Sequence, residues 1–480
     1  MENLYLNNNP QLTFFPKIPH LSNLKKLYLQ KTGISYINPS FLNTNQLTDL
    51  HIFETSLGCM DSDYNNVIYL YAYKTQVNNF LDLLGANQLK ELKVNEAKIP
   101  TIPAQTNIPI TNALEEINLS NNLITTLPAT FTKNLIHLKY LYLEYNKITS
   151  PFPELLLSGM VSLVKLTLNR NQIPGSLPCN TGLPATNNLQ YIWLQWNKIT
   201  SVPPCFFTNM TELKDFTIIV NQISTAMPSV YKVTNDTSNI STFSWRKNKI
   251  TQVSKNALKG ITQLKLLDLR SNLISELTNE TGLGPGNLIE AVWLQANKLV
   301  HIPQSFFDYM DRLKFLLLSQ NLLASFPRLP LLPAPGKLMK FDGSQNQVET
   351  LDEGFLTDLS VLKEMLIDRN LLITFPNKTG LPESNQLTRF IAYSNKIIFD
   401  SWTTFMENMS SLIELDLSKN QITKLSGTLC SSGKNFKLEK VRLTNNTIEK
   451  VQQDFLKNCH NLKTLYLDEN SPLQDLPHIG

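Results

Sequence analysis

The side chains best suited to chemistry gather in three short stretches of the first half of the chain. LQYIWLQWNKI (189–199) carries Tyr191, Trp193 and Trp196, and LKYLYLEYNKI (138–148) carries Tyr140, Tyr142 and Tyr145 at the same offsets. Between them, LVKLTLNRNQI (163–173) supplies Lys165, Thr167 and Arg170, so two aromatic columns flank a basic one. Tyr and Trp combine a large contact area with few rotors and a polar tip, so an exposed cluster suits stacking on a sugar ring or gripping a protein. Trp293, in AVWLQANKL, repeats the theme further on, and Tyr5, Tyr28, His51 and Tyr71 form a row near the start. Each row also has a purely structural reading, because aromatics suit strands and stack on one another across a sheet.

Covalent and metal chemistry finds no comparable foothold. The six histidines (His20, His51, His137, His301, His460 and His478) are scattered, and no H-E-x-x-H, C-x-x-C, P-loop or G-x-S-x-G occurs. Asp268, Asp342 and Asp416 lie several repeats apart, too far to act on one bond as an acid–base pair. The DSD at 61–63 is better read as solvated surface than as a cation site. No catalytic residue, metal or cofactor is expected, and the chain does not read as an enzyme.

The elements that position these side chains follow from self-similarity. Segments of the form L-x-x-L-x-L-x-x-N-x-I recur from end to end, as in LEEINLSNNLI (114–124) and LIELDLSKNQI (412–422). The Asn slot occurs twenty times, mostly 24 or 25 residues apart; Thr32, Thr55, Thr75 and Ala97 replace the Asn. In the L-x-L core, period 2 sends both leucines one way and the residue between them the other. Stacked side by side, such strands form a parallel sheet that buries the leucines in a continuous core. A buried Asn amide can pair with the backbone where the chain turns away, making a ladder. Return legs such as VPPCFF (202–207) and IPQSFF (302–307) use Pro for extended backbone and Phe to fill space behind the sheet. Legs with a Phe alternate with legs such as PCNTGLPATNNL (178–189), which points to a duplicated pair of about 49 residues.

The frame resembles the leucine-rich-repeat family over essentially all 480 residues. That resemblance implies an α/β-class, β-rich solenoid: a curved right-handed superhelix with a parallel sheet on its concave face and irregular or short-helical convex legs. It also implies binding rather than transformation. Long–short alternation occurs in small extracellular proteoglycans of this family too. The expected organisation is one solenoid over 1–480, irregular across 55–113, where spacings fall to 20 and 22. Neither end shows the cysteine-rich caps of extracellular members, and MENLYLNNNP lacks the regions of a secretory signal, so further chain beyond this segment is expected.

Compartment is read from cysteines and sequons. Cys179 and Cys205 each lie eight residues after their Asn slots, about one strand spacing apart, which is disulfide range. Cys430 and Cys459 have less regular offsets, and Cys59 has no evident partner. Sequons begin at Asn118, Asn209, Asn235, Asn239, Asn279, Asn377, Asn408 and Asn445; Asn118 differs in lying on the strand face. No apolar run is long enough to span a membrane. A secreted or cell-surface glycoprotein is expected.

Three functions compete. The first is an extracellular recognition or adhesion module, such as a receptor ectodomain, holding a protein or glycan on the concave face. The second is a structural matrix, cell-wall or filament component that uses the rigid arc as a spacer, with self-association end to end. The third, nucleic-acid sensing as in some Toll-like receptors, is disfavoured by a formal charge of only +4 and interspersed acids, so no nucleic-acid partner is expected.

Overall fold

Alternation along each leucine-rich stretch produces a three-residue strand with its middle side chain in the core. In Tyr191–Trp193 the central Ile192 is buried while Tyr191 and Trp193 are half-exposed, and Leu194, just beyond, is buried again. The computed structural model describes the chain except residues 17, 19–20, 39–45, 58–65, 76–86, 105–107, 229–238, 377, 399–401, 433–435, 472 and 474–480. It divides into two units of equal length, Met1–Ile240 and Ser241–Gly480.

In the first unit, strands run from Asn3–Tyr5 through Tyr140–Tyr142, Lys165–Thr167 and Tyr191–Trp193 to Asp215–Thr217, each parallel to the next. The register is strict: Tyr140, Lys165, Tyr191 and Asp215 lie side by side, as do Tyr142, Thr167, Trp193 and Thr217. In the second unit the same pattern runs from Thr242–Ser244 to Thr464–Tyr466. Behind the strands, columns such as Leu141, Leu166, Ile192 and Phe216 are fully buried. Each such side chain contributes about 2 kcal/mol through loss of contact with water.

The asparagine ladder resolves the turn out of the sheet. Asn197 Nδ2 donates to the carbonyls of Leu168 (2.9 Å) and Leu194 (3.1 Å), while its Oδ1 accepts from Ile173 N–H (3.0 Å). The same bonds recur at Asn146, Asn272, Asn346, Asn420 and Asn446. Thr32 and Thr55 keep only a donor, each hydroxyl bonding a nearby carbonyl. Just before every slot the backbone takes positive φ, from Asn8 (59°) through Trp196 (59°) to Glu469 (57°), none of these residues being glycine.

Return legs carry single turns of 3-10 helix at Ala129–Thr132, Pro204–Phe207 and Gln304–Phe307. Their phenylalanines are buried, with Phe206 and Phe207 edge-to-face at 5.4 Å. A single α-helical turn, Trp402–Phe405, buries Trp402, and Trp245 fills an inward slot. The alternate legs turn at glycine: Gly282 has φ +80°, and a β-carbon there would lie 2.7 Å from Lys259 Cβ and 2.9 Å from Asn256 Cα. Disulfides join Cys179 to Cys205 and Cys430 to Cys459, with Cα–Cα distances of 4.7 and 5.3 Å. Cys59 and the DSD at 61–63 lie outside the described residues. Among the described residues no helix is long and apolar enough to cross a membrane.

Candidate ligand-binding face

Three rows of side chains project from the strand face of the first unit. Tyr140, Lys165 and Tyr191 form the first, and Tyr142, Thr167 and Trp193 the second. The third stands on the left-handed bends: Tyr145 (φ 55°), Arg170 (55°) and Trp196 (59°). A bulky residue in that region is uncommon, but the frame imposes the bend at every repeat, so the ring follows the backbone.

The structure brings eight of the nine candidate contact residues into this one patch and adds an arrangement that spacing did not show. Lys165 Nζ sits 3.6 Å from the Trp193 ring centroid and 5.6 Å from that of Tyr142. Arg170 Cζ lies 5.1 Å from the Tyr145 ring and 4.8 Å from Trp196. Each cation thus occupies the gap between two aromatic columns and covers ring faces that the sequence offered for sugar stacking. Such contacts contribute about 0.5–2 kcal/mol each, more as water is excluded. Tyr145 and Trp196 nevertheless remain 47% exposed.

The acids nearby are engaged otherwise. Glu144 accepts the Thr167 hydroxyl, and Asp215 accepts that of Thr217 at 2.6 Å. Burial pushes the Asp215 carboxyl above its ordinary range, opposed by hydrogen bonds from Thr217 and Trp193 and by the charge of Lys165. Burial, then Glu116, Tyr140 and Glu144, raises the Tyr142 phenol. Among the described residues neither Lys165 nor Arg170 makes an ion pair.

Trp293, the ninth candidate, belongs to the second unit. Arg270 Cζ stands 4.1 Å from its ring, and Arg270 is held by Asp268 through two 2.8 Å bonds. The strand face further along carries a charge ladder: Lys340–Glu364 at 2.7 Å and Arg389–Glu414 at 2.9 Å, with Arg442 also on Glu414. Asp342 and Asp416 each accept from a serine two residues on. Among the described residues no three His, Cys, Asp or Glu side chains gather as a metal would require.

The N-terminal row is stacked on itself. Tyr5–Tyr28, Tyr28–His51 and His51–Tyr71 have centroid distances of 4.5, 4.3 and 4.4 Å, and Lys93 covers Tyr71 at 5.1 Å. Burial lowers the His51 imidazole, against the pull of Asp49. The ring faces here are largely spent on one another.

The patch lies within two matches to leucine-rich-repeat family models, at residues 112–173 and 188–210. Human Toll-like receptor 3 is 25% identical over 313 residues, 61% of this chain and 34% of that protein. Rat lumican is 29% identical over 205 residues, covering 42% of this chain and 55% of its own length. The plant peptide hormone receptor RGFR1, solved in complex with RGF2, superposes with a TM-score of 0.64 at 21% identity, covering 93% of this chain and 75% of that one. The chain is a leucine-rich-repeat protein. It spans between about a third and about half the length of these curated relatives.

The leucine-rich frame also sorts the sequons. Asn239 and Asn279 are exposed on return legs, and Asn445 is exposed on a left-handed bend. Asn209 and Asn408 are half-buried, both with φ 66°, and their Nδ2 atoms donate to Leu183 O (2.8 Å) and Leu381 O (2.9 Å). Asn118 sits beside Tyr142 in register and accepts twice from Ser120. Asn235 and Asn377 lie outside the described residues. Glycopeptide mapping after expression through a eukaryotic secretory pathway is expected to find Asn279 occupied and Asn209 and Asn408 largely bare. Equal occupancy at all three would contradict the sorting.

Proposed function

We propose that this leucine-rich-repeat chain is an extracellular recognition or adhesion module, in the manner of a receptor ectodomain, that holds a protein or glycan on the strand face between Tyr140 and Trp196. One observation carries the reading: exposed Tyr145 and Trp196 flank Arg170 on a face whose core needs neither ring nor charge. A rigid sheet presenting rings with few rotors loses little entropy on binding. Relatives among receptors and the likeness to a receptor solved with RGF2 support a protein partner, and the two disulfides suit an oxidising compartment. The chain is proposed to bind its partner without transforming it.

The test is a screen of the protein against displayed secreted proteins and a glycan array, repeated with Trp193→Ala/Trp196→Ala. Losing two central aromatic anchors is expected to weaken the selected ligand at least about a hundredfold while the protein stays folded with a cooperative, modestly lowered thermal transition. An unaltered affinity in the double variant would place recognition elsewhere. Concentration-dependent filaments with no selected ligand would favour the structural role instead.

A further inference from the structure

We propose that Arg170, clasped between Tyr145 and Trp196, anchors a carboxylate of a protein ligand; this deepens the recognition role assigned above to the same face. A guanidinium offers two flat faces and a rim of five N–H donors. At Arg170 the guanidinium carbon lies over two rings, Tyr145 at 5.1 Å and Trp196 at 4.8 Å, and the side chain makes no hydrogen bond or ion pair among the described residues. Its rim therefore points into solvent, already oriented by the rings.

Several cations on the other strand faces are spent within the fold. Arg270 is bonded twice by Asp268, Arg389 and Arg442 share Glu414, and Lys340 meets Glu364. Arg369 occupies the slot equivalent to Arg170 in the second unit, but a single ring, Tyr393, stands against it at 5.3 Å. The carboxylates of the patch, Glu144 and Asp215, accept the Thr167 and Thr217 hydroxyls and make no ion pair with Arg170. Lys165 adds a second positive charge beside the same columns, over Trp193.

Carboxylate offers a planar pair of oxygens that matches the guanidinium fork, as two oxygens of a phosphate or sulfate also can, and it is the anion that a protein surface supplies without modification. A protein is favoured over a glycan because sugar stacking needs an open ring face. The inner faces of Trp193, Trp196 and Tyr145 are covered by cations, which leaves a sugar only their outer faces and edges beside the guanidinium rim.

Tryptophan fluorescence of the whole chain is titrated with acetylated tetraglutamate, with tetraglutamine and with a sulfated heparin hexasaccharide, using parent protein, Arg170→Gln and Arg170→Lys. Tetraglutamate is expected to quench the parent, and tetraglutamine to leave it unchanged. Its Kd should rise at least about tenfold in Arg170→Gln, as loss of a charge-assisted pair requires, and by less in Arg170→Lys, which keeps the charge without the fork. No response of the parent to tetraglutamate, or equal Kd in parent and Arg170→Gln, overturns the anchor. Tighter, Arg170-dependent binding of the hexasaccharide overturns the assignment to a protein. Failure here is separable from failure of the recognition role, because a screened ligand that depends on Trp193 and Trp196 but not on Arg170 removes the anchor alone.

Discussion

Asn197→Ala is expected to destabilise the first unit by about 3–5 kcal/mol, a loss shared with the equivalent ladder asparagines Asn146 and Asn171. The substitution leaves the buried N–H of Ile173 without a partner and removes one of the two amide donors from each of the Leu168 and Leu194 carbonyls, which keep Asn171 and Asn221. A buried backbone group without a partner costs about 1–3 kcal/mol, and each of the two lost carbonyl bonds adds about 1 kcal/mol. Asn197→Thr should be milder, because Thr32 and Thr55 hold the same slot by donating to a single carbonyl. Urea unfolding followed by circular dichroism, with limited proteolysis to locate the weakened repeat, measures both. An alanine variant within about 0.5 kcal/mol of the parent would mean that the ladder is dispensable.

Gly343→Leu tests the frame from the opposite direction, since it restores the residue that the repeat calls for and is still expected to destabilise. Gly343 stands in the second inward slot of its repeat, where Leu194 and Leu168 stand in theirs. A β-carbon at Gly343 would lie 2.6 Å from Phe326 Cζ and 2.8 Å from Phe341 Cε1. Phe326 has moved into the space, edge-to-face with Phe341 at 5.1 Å. Leucine therefore overpacks the second unit, at a cost of about 2–3 kcal/mol. Phe326→Ala alone should cost about 2 kcal/mol by removing packed surface. The double variant should lose less than the sum of the two, since each change makes room for the other. Additive losses would show that Phe326 does not fill the vacated slot.

The fold was readable because two independent periodicities coincide. Alternation within each strand decides which side of the sheet a residue faces, and a repeat of about 24 residues decides which residues are neighbours. Tyr142, Thr167 and Trp193 could be placed side by side from these rules alone, and the register agrees. The position of Lys165 against Trp193 could not, because it depends on rotamers and on the lean of one side chain toward the next strand. A lysine or arginine flanked in register by aromatic residues is the signal that was available. The Cys430–Cys459 bridge escaped for a related reason: its cysteines sit at unequal offsets from their Asn slots, on legs of different length. The vacancy at Gly343 was visible as a broken pattern, but its occupant comes from the preceding return leg, where the alternation of leg types does not say which side chain turns inward.

The left-handed bend before each ladder asparagine has a consequence for how such a surface can change. Glutamate, lysine, serine, valine, tyrosine and tryptophan all occupy that bend with nearly the same φ: Glu96 at 57°, Lys247 at 56°, Ser271 at 55°, Val220 at 55°, Tyr145 at 55° and Trp196 at 59°. The conformational penalty, about 1–2 kcal/mol for an L-residue and more for β-branched valine, comes with the bend, so exchanging one unbranched residue for another leaves it nearly unchanged. The outer rim of the sheet is in this sense an alphabet of interchangeable letters. New specificities could be spelled along it one repeat at a time while the path of the main chain stays the same.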